Sequence, residues 1–209
     1  LTQAEKEELR TVEQRLTTAL DIQKAPKEAV FKAYDVFQKA NIQRSGTGFT
    51  GAPILTPDEL DRSKGEISWN DLETMLSGFA YDAYYNHSET SRQNYFTVWD
   101  FAINQGFSFG SGMGTNHHYG YQVRKIYTTA WLMRDAIWKA PNRDNILSTL
   151  IFWSALQETR QPYQYGRDEL LDSWHTLLMA KTVSALLFTD ERERVRALKG
   201  LSRWVSSSL

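Results

Sequence analysis

Leu9, Val12, Leu16 and Leu20 fall three, four and four residues apart, the spacing that lays apolar side chains along one face of an α-helix. The same rhythm returns through most of the chain. Nowhere does a sustained two-residue alternation bounded by hairpin turns compete with it. That excludes most sheet architectures. Thr2 followed by Glu5 offers a capping box for a helix running to about Leu20. Pro26 starts a second, striped by Ala29, Val30, Ala33, Tyr34 and Phe37. Further helices are expected at about 71–85, 91–104, 122–139, 142–158, 167–187 and 190–206, with Thr189 or Asp190 capping the last.

Two stretches break the rhythm. Residues 45–57, rich in Gly, Thr and Pro, cannot sustain a helix and read as a long loop. Residues 105–121 carry Gly106, Gly110, Gly112, Gly114 and Gly120, a density that lets backbone turn sharply and lets a ligand approach closely. The glycines of the second stretch form no phosphate-binding fingerprint between a strand and a helix. The expected fold is all-α, with roughly seven to nine helices in antiparallel pairs, as in a bundle or a helical solenoid. No repeat of fixed period is present.

With 209 residues, 41% of them hydrophobic and 23% charged, the chain can bury a core as a single α-helical region spanning 1–209. Cysteine is absent, which removes disulfides, Cys-ligated zinc and a thiol nucleophile. No apolar run approaches the roughly 20 residues of a membrane span, and no leader-like pattern stands at Leu1. A chain that opens at Leu1 and stops at Leu209 after a serine run reads as processed or cut from something longer.

The 24 basic and 25 acidic side chains balance to −1, which argues against nonspecific nucleic-acid binding. They are unevenly placed. Residues 1–100 hold 11 basic and 16 acidic groups, residues 101–209 hold 13 and 9. The basic half also carries Trp131, Trp138, Trp153, Trp174 and Trp204. That combination suits an anionic partner with flat faces, although charged helix surfaces and a tryptophan-filled core would produce the same composition.

Asn116, His117, His118 and Tyr121 sit where the glycine-rich loop meets a helix start, with Arg124 and Lys125 one turn later. Polar and imidazole groups at a helix N-terminus suit an anion or a sugar. A second polar and aromatic stretch contains Arg160, Tyr165 and Arg167, and two arginines between helices could clamp a sulfate or carboxylate. No metal site is expected: adjacent histidines on a helix diverge, and no H-E-x-x-H occurs. No nucleophile elbow supports serine hydrolysis.

Asn116-His117-His118-Tyr119-Gly120-Tyr121-Gln122, continuing through Arg124 and Trp131 to Arg134-Asp135, resembles a signature of polysaccharide lyase family 8, the chondroitin, hyaluronan and xanthan lyases. The likeness runs through all 209 residues. It implies part of an α/α toroid, here incomplete, from a larger multidomain lyase that is bacterial and secreted or periplasmic. Family members carry Asn-Trp-Trp where this chain has Asn116-His117-His118, and they use that patch to guide the sugar chain.

The resemblance implies β-elimination at a uronic acid. A base takes the C5 proton beside the carboxylate, and an acid protonates the oxygen leaving C4. The family's catalytic His and Tyr find only a weak imitation in His87 and Tyr95, so no catalytic residue is assigned within this chain; they are expected beyond Leu209. The implied partners are chondroitin or dermatan sulfate, with hyaluronan as a further candidate, together with the remainder of the chain's own polypeptide. Neither cofactor, nucleic acid nor membrane is implied. The substrate-holding residues would be Asn116, His117, His118, Tyr121, Arg124, Arg160, Tyr165 and Arg167. Two rival readings are a non-catalytic glycosaminoglycan-binding module and a helical protein-interaction scaffold.

Overall fold

The computed structural model describes residues 1–21, 24–45, 48–50, 69–104, 119–159 and 167–208. Among them are nine helices: α1 (Gln3–Leu20), α2 (Lys27–Ala40), α3 (Trp69–Tyr85), α4 (Glu89–Asn104), α5 (Tyr119–Leu132), α6 (Arg134–Lys139), α7 (Arg143–Thr159), α8 (Arg167–Leu186) and α9 (Glu191–Ser208). The all-α expectation holds.

The first helix begins as its sequence requires. Thr2 N–H donates to Glu5 Oε2 at 2.9 Å, and Glu5 N–H donates to Thr2 Oγ1 at 3.2 Å, closing the capping box. Pro26 stands at the N-cap of α2, and Asn41 ends that helix in the left-handed region at φ 46°.

Two expectations are corrected. The loop expected at 45–57 begins as a short hairpin, β1 (Gln43–Ser45) with β2 (Gly48–Thr50), antiparallel with Gln43 opposite Thr50 and Ser45 opposite Gly48. Three-residue strands are too short to show alternation, and the signal was the Gly-Thr pair joining them. The single helix expected over 122–139 is two helices, divided at Met133. There Arg134 Nη1 donates to Trp131 O at 2.9 Å, taking the carbonyl that the next turn would have used, while its guanidinium lies 4.4 Å from the Trp131 ring centre.

Helices α3 and α8 are the two hubs, and α5 packs on both. Helix α3 also packs on α2 and α4, and α8 on α7 and α9. Along α3, Leu72, Met75, Leu76, Phe79 and Ala80 are completely buried, the i, i+3, i+4, i+7, i+8 stripe of a core-facing helix. Each large side chain so buried contributes about 1.5–3 kcal/mol. Trp99 and Trp153 stack at 5.6 Å in the same core, and Trp131 is buried beside them in the cluster. Two of the five tryptophans of the basic half, Trp131 and Trp153, are therefore core residues rather than stacking platforms.

Candidate functional site

Among the eight residues assigned to substrate holding, Arg124 alone has a described side chain. It stands exposed on α5 beside exposed Lys125. Tyr121 lies in the first turn of α5 and Arg167 opens α8. The side chains of these two, and all of Asn116, His117, His118, Arg160 and Tyr165, lie outside the described residues. The two polar stretches nevertheless lead into helices that pack on each other, since α5 lies against α8.

Helix α3 brings Glu73 to the α5 edge. Its Oε2 lies 3.4 Å from the backbone nitrogen of Lys125. Burial pushes this carboxyl up to about 7, and the nearby charges of Lys125 and Arg124 pull it down without cancelling that effect. Tyr81, on the same helix, is raised by burial first, then by Tyr85 and by the Glu73 charge. A carboxyl that titrates near neutrality beside two exposed cations marks a functional candidate. Sequence reasoning missed Glu73. It is 52 positions from Lys125, and no local motif joins them.

The weak His87–Tyr95 imitation does not form a catalytic pair. His87 is exposed in the connection between α3 and α4, in the left-handed region at φ 55°. Tyr95 is wholly buried against Trp99, and burial pushes its phenol above the ordinary tyrosine range. Tyr127 is likewise interior, donating its hydroxyl to Leu150 O at 2.7 Å. Among the described residues no group of His, Asp and Glu is arranged to hold a metal, and no helix is long and apolar enough to cross a membrane.

Two cavities among the described residues lie at joints with α9, away from the α5 edge. One of about 300 Å³ between α7, α8 and α9 is walled by Ile151, Phe188, Leu201 and Trp204, with Lys181 Nζ 4.9 Å from the Trp204 ring centre. The other, about 500 Å³, separates α1 from α9 and is lined by Leu9, Val12, Val195 and Leu198.

A family model described as "Lyase, catalytic" matches residues 1–209. The chain is 27% identical over 196 residues to the chondroitin sulfate ABC exolyase of Bacteroides thetaiotaomicron, covering 85% of this chain and 19% of that protein. It is 27% identical over 119 residues to the chondroitin sulfate ABC endolyase of Proteus vulgaris, covering 56% of this chain and 12% of that one. The chain thus spans less than a fifth of the length of either relative. With the match extending from Leu1 to Leu209 and the helical architecture in place, the chain belongs to the lyase catalytic family, as the likeness of residues 116–135 to polysaccharide lyase family 8 leads one to expect.

Proposed function

We propose that this chain is the polysaccharide-holding part of a lyase that depolymerises chondroitin or dermatan sulfate by β-elimination at C5 of the uronic acid, leaving unsaturated oligosaccharides. The observation that carries the reading is the match of the whole chain to a lyase catalytic family, with both relatives named for chondroitin sulfate.

The α5 edge supports it. Exposed Arg124 and Lys125 supply positive charge to a polymer that bears a carboxylate or sulfate on each sugar. Asn116, His117 and His118 precede the N-terminus of α5, where backbone N–H groups and the helix dipole favour anions. By the chemistry of their side chains, Tyr121, Arg160, Tyr165 and Arg167 are assigned to holding the same polymer. The base that takes the C5 proton and the acid that protonates the leaving oxygen come from elsewhere in the enzyme. Of the histidines, His87 alone has a described side chain; it is exposed, whereas Tyr95, the tyrosine matched to it in the sequence, is wholly buried. The enzyme would act outside the cytoplasm of a bacterium, where such polymers are met.

The test is retention of the chain on immobilised chondroitin sulfate over a salt series, with ultraviolet absorbance of unsaturated product as the activity readout. Expected are retention that weakens as salt rises, loss of about tenfold in affinity on Arg124→Ala with Lys125→Ala, and no sustained turnover. Salt-independent retention, or none, would sink the reading. So would turnover abolished by His87→Ala.

A further inference from the structure

We propose that Glu73 is the internal counter-anion of the Arg124–Lys125 edge, competing with the anionic groups of a bound polysaccharide for the same two cations and taking up a proton as the polymer binds. This rests on the reading of that edge as the polysaccharide-holding surface. The placement is specific. Glu73 Oε2 sits 3.4 Å from the backbone nitrogen of Lys125, so the carboxylate reaches the turn of α5 that presents both cations. It comes from a different helix, and α3 is fixed there by the buried stripe from Leu72 to Ala80.

Among the described residues, the charges that act on Glu73 come from α5. Arg124 and Lys125 act on it from α5, and Tyr81 is the phenol that feels its charge on α3. On α2, Lys32 pairs with Glu28 and Lys39 with Asp35. On α4, Arg92 pairs with Glu89, and Asp100 accepts from Asn142. A sulfate or carboxylate arriving at the edge adds a like charge beside Glu73 and favours its protonated form. The proton comes from the buffer, and no covalent bond changes. Reciprocity then requires affinity to fall as pH rises through the range in which Glu73 ionises. That range lies around neutrality, where burial has moved the group.

The experiment uses chondroitin sulfate as probe, with wild type, Glu73→Gln and Glu73→Ala compared by titration calorimetry in buffers of different ionisation enthalpy. Thermal melting confirms the fold of each variant. One pKa unit of coupling corresponds to about tenfold in affinity. Wild type is therefore expected to lose about tenfold more affinity than Glu73→Gln between about pH 6 and about pH 8. Both variants should bind more tightly than wild type at the upper end and take up fewer protons near neutrality. Imidazoles titrate in the same range, but they are common to all three proteins and cancel in the difference. Parallel pH profiles with unchanged proton uptake, in a wild type that binds, overturn the role of Glu73. A wild type that ignores the polymer at every pH instead overturns the polysaccharide reading, and with it this one.

Discussion

Gly78 and Gly200 both sit within helices, yet their surroundings are opposite. A Cβ added at Gly78 would collide with Ala29 O and Ala33 Cβ, so the backbone of α3 lies directly against α2 there. Main chain cannot swing aside as a flexible side chain can. Gly78→Ala should therefore cost about 2–3 kcal/mol in urea unfolding. A Cβ at Gly200 meets nothing within 4 Å, and Gly200→Ala should add about 0.5–1 kcal/mol by the ordinary helix preference for alanine. Equal responses at the two positions would show that the α2–α3 contact is looser than described. Reading sequence alone could not separate these glycines, because the difference lies in what another helix brings. Glu73 was illegible for the same reason, whereas the exposed place of Arg124 on α5 follows from its position just after a polar loop that opens a helix.

At the scale of the elements, the apolar spacing exposed the helices and the Thr2–Glu5 pair exposed the start of α1. What escaped was decided by single side chains, such as Arg134 dividing α5 from α6. Arg194 is another case. It is 8% exposed on α9, yet its Nη1 donates to Phe188 O at 2.9 Å and Thr189 O at 3.4 Å. Its guanidinium lies 5.2 Å from the Trp138 ring centre, and its Nε is 3.4 Å from Glu13 of α1. Trp138 in turn donates to Leu187 O at 2.8 Å. One side chain thus joins α1, α6 and the α8–α9 turn. Arg194→Ala should cost about 2–3 kcal/mol, since two carbonyls lose their donor and the Glu13 carboxylate loses its ion-pair partner. Arg194→Lys should recover little, because an ammonium cannot serve these partners in a planar fork. Full recovery by lysine would reduce the contact to simple charge attraction.

Over the whole molecule, part of the uneven charge finds its complement inside the chain. Acidic α1 meets basic α9, with Glu5 paired to Lys199 and Glu13 to Arg194, so that asymmetry is in part internal matching rather than an advertisement for a partner. No local pattern could show it, because the paired groups stand near opposite ends of the sequence. Between these helices lies the cavity of about 500 Å³, so apolar packing there is incomplete and the polar contacts at its rim carry more of the joint. The Lys199 hydrogen bond, with the Thr2 N–H behind it, holds the Glu5 carboxyl down to about 2 from its ordinary 4.5. A depressed acid stabilises the fold above its unfolded value, and that stabilisation is lost as pH falls toward the folded one. The melting temperature of wild type should therefore exceed that of Lys199→Ala at neutral pH and low salt. The gap should close as pH drops from 4.5 to about 2. Because Glu5 stands at the surface, added salt at neutral pH should narrow the gap as well. A gap that survives both acid and salt would mean that Lys199 supports α9 through its aliphatic stem against the cavity wall, and that the ion pair contributes nothing to joining the two helices.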